Sequence, residues 1–162
     1  MILDAMGILD ANGAKLTGAT TISQNVIKLP EVDFSGITDI WLDIQTAVIA
    51  TAGDGSDTFQ FQLVADTQVA LDGTSVEIIS HTVTGYADVR LATAGRRIFC
   101  VNLGETLMDP FFDTATYRYL GLNSILSATT NISINASLST VKPQSDVLYN
   151  RQVTRSPVGL PG

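Results

Sequence analysis

His81 is the only histidine in the 162-residue chain, and it is the side chain whose ordinary pKa best suits proton transfer near neutrality. Nucleophilic catalysis would require it to activate a serine while a carboxylate, Asp88 or Asp72, oriented the ring. A multi-histidine metal centre would need further histidines, which the chain lacks. A single histidine on a strand therefore reads as structural. Asp109 and Asp113 have a spacing that permits general acid–base work, but they flank the aromatic pair Phe111-Phe112 and no second feature selects them. Asp54-Gly55-Ser56-Asp57 begins like a calcium loop, yet the alternating oxygen ligands and terminal glutamate are missing, so it reads as a turn. The lone Cys100 sits in Ile98-Phe99-Cys100-Val101, where a buried, inert thiol is predicted and no intrachain disulfide can form. Asn131-Ile132-Ser133 and Asn135-Ala136-Ser137 fit a glycosylation pattern but fall inside a predicted strand. No catalytic, metal or cofactor site is predicted, and the residue chemistry points to binding.

Composition narrows the partner. A net charge of −7 and a pI near 4.4 oppose non-specific binding to nucleic acid, whose phosphates demand clustered Lys and Arg. A protein partner is expected. The charge is uneven: from Thr140 onward Lys142, Arg151 and Arg155 outnumber Asp146, giving about +2, and the preceding body carries about −9. The N-terminus lacks a basic region ahead of an apolar stretch, and no apolar run approaches the roughly 20 residues of a membrane span. A soluble protein made in a cytoplasm, without a membrane partner, is expected.

The elements that would carry a binding surface read as strands. Phe59, Phe61, Leu63 and Ala65 share one face of an extended segment, with Gln60, Gln62 and Asp66 on the other. Leu71-Asp72-Gly73-Thr74 leads from it to Val76–Val83, an antiparallel neighbour. The apolar parity changes within that neighbour, which implies a bulge or a strand apolar on both faces. Ile40, Leu42, Ile44 and Val48 alternate, leaving Trp41 beside Asp43 and Gln45, either covered by a loop or exposed at a contact surface. Met1 to Gly18 reads as short extended pieces, Thr20 to Leu29 as a strand, Tyr86 to Leu91 as a short edge piece and Arg96 to Leu103 as a strand apolar on both faces. Glu105 to Asp109 suits a helical turn. Tyr117 to Leu122 and Ile132 to Leu138 complete the strands, the latter with Ile132, Ile134, Ala136 and Leu138 inward. Seven or eight strands without a long helix predict an all-β, jelly-roll-like antiparallel β-sandwich over residues 1–138. Residues 139–162, with Pro143, Pro157 and Pro161, read as an extended C-terminal arm.

Several segments together resemble the Bbp16-like capsid cement, or decoration, proteins of tailed bacteriophages. They are Met1-Ile2-Leu3-Asp4 with Ile8-Leu9-Asp10-Ala11, Ser23 to Leu29, Gln62 to Asp66, Leu71 to Val76 and Tyr117 to Leu122. The arm looks longer than the family pattern. The resemblance implies a non-enzymatic jelly roll of the virion that binds the outer capsid surface between major capsid proteins and strengthens the head, commonly as a homotrimer. Candidate contact residues are Trp41, Phe111, Phe112, Tyr117 and Tyr119 on the body, and Leu148, Tyr149, Arg151 and Arg155 on the arm. The alternative is a carbohydrate-binding sandwich in which Trp41, Tyr86, Tyr117 or Tyr119 stacks on sugar rings.

Overall fold

The computed structural model describes residues 8–29, 39–51, 55–72, 75–107 and 116–144. They form seven strands: β1 (Ile8–Ile22), β2 (Ile27–Lys28), β3 (Trp41–Thr51), β4 (Thr58–Asp66), β5 (Val76–Thr84), β6 (Arg97–Asn102) and β7 (Tyr119–Ser139). A single helical turn, α1 (Gly104–Leu107), follows β6.

β7 is 21 residues long. Drawn out flat at about 3.3 Å per residue it would run about 70 Å, whereas a chain of this length packs to a radius of gyration of roughly 15 Å. The strand must therefore turn back on itself, and its pairings locate the turn. Tyr119 to Leu126 pair with β4, and Asn131 to Ser139 pair with β3. β1 makes the same turn alongside, since Thr17 lies opposite Asn131 but Ala19 opposite Leu126, so that two steps along β1 match five along β7. The surplus residues of β7 form a bulge at the corner, the usual device by which a strand changes layer. β4 and β5 extend the first limb of this folded ribbon, while β3 and β6 extend the second. β2 pairs with the start of β7. Every pairing is antiparallel, and the molecule is an all-β sandwich.

Alternation builds the core. Phe59, Phe61, Leu63 and Ala65 of β4 are buried with Leu42 and Ile44 of β3 and with Ile132, Ile134, Ala136 and Leu138 of β7. The parity change in β5 is a bulge, because Leu63 pairs with Ile79 but Val64 with Glu77, skipping Ile78. Five expectations change. Val48, expected inward with Ile40, Leu42 and Ile44, is exposed, because the register of β3 against β7 shifts between Thr46 and Val48. The segments 117–122, from Tyr119 on, and 132–138 belong to one bent strand, and the described part of Met1–Gly18, residues 8–18, is one continuous stretch of β1 and not short pieces. The Thr20–Leu29 strand is interrupted at residues 23–26, where Ser23 turns its hydroxyl onto the Asn25 carbonyl. Residues 86–91 are turns, with Leu91 donating to the Asp88 carbonyl.

The outer face of the β4 layer is covered at one end by the chain itself. Alternation aims Val64 and Asp66 outward, yet both are buried. The β4–β5 connection lies over them: Ser75 Oγ donates to Asp66 Oδ2 at 2.7 Å, and the Gln68 amide donates to Asp66 Oδ1 at 2.9 Å. Leu71, held at a left-handed φ of 52°, packs over Gly121, where any Cβ would overlap its Cδ1. Gly121→Val should lower the unfolding free energy by about 1–3 kcal/mol through overpacking. Urea denaturation of Gly121→Val, Leu71→Ala and the double variant checks this: the valine should cost less once Leu71 is truncated, and additive costs would show that the two do not touch.

Candidate interaction surface

On the outer face of the second layer, Trp41, Asp43 and Gln45 alternate with the core residues Leu42 and Ile44. Asp43 is only 7% exposed. It is sustained there by Arg97 of β6, whose Nε donates to Oδ1 at 2.6 Å, and by Gln45 Nε2, which donates to Oδ2 at 2.7 Å. The same guanidinium reaches outward, Nη2 donating to the Gln144 carbonyl at 2.6 Å. Two residues earlier, the Lys142 ammonium stands 5.0 Å from the centroid of the Trp41 ring. Such a cation–π contact contributes about 0.5–1 kcal/mol at an exposed site. Trp41 is thus half-buried, roofed by a lysine. After β7 ends, residues 140–144 are tied to this face at both Trp41 and Arg97.

Cys100 lies opposite Asp43 on β6 and is half-buried rather than fully buried. Burial, and then the Asp43 carboxylate, push its thiol up, against the opposing pull of Arg97 and Lys142. The thiol stays protonated and is not activated.

His81 bridges the two layers. β5 and β6 are the outermost strands of the sheet path, and the His81 ring of one stacks on Phe99 of the other with centroids 4.5 Å apart and planes 9° from parallel. Arg90 Nη1 lies 3.2 Å from His81 Nε2. Because arginine only donates, Nε2 accepts and the ring proton sits on Nδ1. Asp88 grips Arg90 through two bonds of 2.9 Å, so its carboxylate serves the guanidinium and not the imidazole. The neighbouring Ser80 hydroxyl donates to Glu77 at 2.8 Å. The cluster closes one open side of the sandwich and has no serine–histidine–carboxylate relay. The opposite side is closed by residues 23–25, where the Gln24 amide donates to Asp10 Oδ1 at 2.9 Å and the Asn25 amide to the Leu9 carbonyl at 3.0 Å.

The sequence candidates are dispersed. Tyr117 packs partly against the core. Tyr119, half-buried, opens β7 opposite Asp66, while Trp41 lies opposite Ser139 at the other terminus of the same bent strand. Tyr86 follows β5 at the corner end of the sandwich, where Thr58 pairs with Thr84. These rings do not form one stacking platform. Phe111, Phe112, Leu148, Tyr149, Arg151 and Arg155 lie outside the described residues. Sequence reasoning missed the ties from Lys142 to Trp41 and from Arg97 to Asp43 and Gln144. The signal for them was a polar, charged alternation around an outward tryptophan. Among the described residues, no three His, Cys, Asp or Glu side chains converge as a metal site, and no helix is long and apolar enough to cross a membrane. No protein-family model matches the chain, and no curated protein matches its sequence.

Burial first, and then the Arg90 charge, hold the His81 imidazole below its ordinary 6.5, with Asp88 opposing. The unfolded chain therefore takes up a proton at His81 before the folded chain does. Its contribution to stability is complete above pH 6.5 and is lost as pH falls from 6.5 toward the folded value. Asp88, held down chiefly by its hydrogen bonds from Arg90, adds its own loss only below its ordinary 3.8. Thermal midpoints measured across the upper window should fall for the wild type and fall less for His81→Phe, which keeps the stack on Phe99.

Proposed function

We propose that this chain is a non-enzymatic capsid cement protein of a tailed bacteriophage, bound to the outside of the head between major capsid proteins and acting as a homotrimer. What supports the reading is the course of residues 140–144. They are held on the outer face of the β3 layer by Lys142 on Trp41 and by Arg97 on the Gln144 carbonyl. Among the described residues, the core cluster is assembled from those before Ser139. Residues 145–162 follow in the sequence from that tie, and a segment with Leu148, Tyr149, Arg151 and Arg155 can be given to a neighbouring subunit or the shell. The folded ribbon of β1 and β7 is also how a jelly roll is wound, in keeping with the resemblance. The acidic body suits the outside of a DNA-filled particle.

Two truncations test this. Removal of residues 145–162 should leave the thermal midpoint of the isolated chain within about 2 °C, because no described core contact is lost. Trimerisation and decoration of particles should weaken markedly. Cutting after Ser139 should add a small stability loss from the Trp41–Lys142 contact. Unchanged decoration and oligomeric state by light scattering and cryo-electron microscopy would reject the proposed role of the arm, and absence of the protein from particles would reject the capsid reading itself.

A further inference from the structure

Where β5 and β6 face each other across the sandwich, a side-chain tie joins the two layers. His81 of β5 lies opposite Phe61 of β4, and cross-strand partners share a face, so the ring points inward from the first layer. Arg90 is fixed to the second layer by its backbone. Its carbonyl accepts from Thr46 Oγ1 of β3 at 2.6 Å, and the next carbonyl, that of Leu91, accepts from the Ala50 amide at 3.0 Å. Leu91 itself is buried in the core, which holds this anchor in place. From there the guanidinium reaches His81 Nε2 at 3.2 Å, and Phe99 of β6, also in the second layer, stacks on the same ring. One imidazole of β5 thus receives two contacts from the opposite layer.

The two contacts respond differently to a proton. The face of Phe99 accepts an imidazole or an imidazolium, since an aromatic face also attracts a cation. The Arg90 contact accepts only the neutral ring, because a guanidinium has no acceptor and an imidazolium has no lone pair to offer it. A second ring proton would replace that hydrogen bond with two cations in contact. Asp88 could offset the repulsion only by leaving Arg90, which it holds through two bonds of 2.9 Å. Arg90 and Asp88 are the charges that act on the ring. Glu77 of β5 is turned to Gln62 and Ser80, Asp66 of β4 to Gln68 and Ser75, and Arg97 and Cys100 of β6 lie on the Asp43 side. Tyr86 and Arg96 stand at the two ends of the connection that carries Arg90. We propose that His81 and Arg90 form a proton-operated clasp: the neutral imidazole ties β5 to the second layer, and protonation drives Arg90 off so that β5 opens locally away from β6. The flank that opens carries Ile79, Phe99 and Val101, apolar side chains packed at the margin of the core. Burial and the Arg90 charge, which hold the imidazole below 6.5, place the opening between pH 6.5 and the folded value.

The test follows the full chain by NMR across this pH window. The His81 ring resonance reads its pKa directly. Relaxation dispersion on the Ile79 methyl and the Phe99 ring reads the population of the open state, with the methyls of Leu63 and Leu122, paired in the β4–β7 ladder, as the reference for global unfolding. Because opening is coupled to the uptake of one proton, the open population at Ile79 and Phe99 should rise up to about tenfold per pH unit as pH falls from 6.5, and stay flat above it. Leu63 and Leu122 should show no matching exchange. Arg90→Gln, which removes the cation and keeps an amide donor, should raise the His81 pKa toward 6.5 and flatten the rise, and His81→Phe should abolish it. A folded His81 pKa at or above 6.5, a pKa unmoved by Arg90→Gln, or no pH-dependent exchange at Ile79 and Phe99 would overturn the clasp. The same open population at Leu63 and Leu122 would show global unfolding and overturn local opening. The wild-type titration needs neither variant and does not depend on what the protein binds.

Discussion

The architecture depends on one constraint: β7 is too long to lie flat in a domain of this size and must fold over, taking β1 with it. Backbone hydrogen bonding then continues around the corner, so the two layers are one ribbon and not two sheets that merely pack. Each layer grows outward from a limb of that ribbon, which puts β7 in contact with β1, β2, β3 and β4. The inward alternation of Ile132, Ile134, Ala136 and Leu138 faces the inward set of β4 because the limbs lie opposite one another. A break in either long strand would disturb both layers together.

Folding a ribbon leaves two sides open between the layers, and the chain closes them with different chemistry. Gln24 and Asn25 use hydrogen bonds to Asp10 and Leu9 on one side, reaching across from the link between β1 and β2. His81 and Phe99 use a stacked pair on the other, with Arg90 and Asp88 as polar cover. The Arg90–Asp88 pair is partly exposed and stabilises by at most about 1 kcal/mol, so the ring stack and the burial beneath it carry that closure. This accounts for the solitary histidine without chemistry: its ring fills space between two edges, and its acceptor nitrogen faces a permanent cation.

The face assignments were legible wherever a strand alternated without interruption. Ile40 to Ile44, Phe59 to Asp66 and Ile132 to Leu138 announce their inward sets by type alone, whereas Val48 falls beyond a register shift and is exposed, and the bulge in β5 left its mark as a slip in parity at Ile78-Ile79. The continuity of β7 was not legible. The stretch Asn123 to Asn131 has no steady apolar period, because at a corner the same residues leave one layer and join the other, and period-2 reasoning takes that as a gap between strands. The candidate surface was half legible. Trp41 stood out as an aromatic on a polar face, but its cover came from Lys142, about a hundred residues away, and only the pairing of Trp41 with Ser139 brings that lysine near. Asp10 carried no signal, since its burial comes from a register shift and from a contact with Gln24 on the opposite layer.

Among the described residues, the two outer faces of the sandwich are covered differently. Over the β4 layer, Leu71 packs against Gly121, and Asp66 is consumed by Gln68 and Ser75, so the chain has spent its own connection on covering that end. Over the β3 layer the described residues contribute 140–144, held by the cation–π contact of Lys142 with Trp41 and by the hydrogen bond from Arg97 to the Gln144 carbonyl. An exposed ion or ring contact of that kind is worth about 1 kcal/mol or less, small enough for a partner to displace or extend. Beside it, Asp10 is buried with Oδ2 unpartnered, a burial that disfavours the charged carboxylate. The described cover over the β3 layer therefore rests on contacts near the surface, whereas that over the β4 layer rests on a buried carboxylate and a packed leucine.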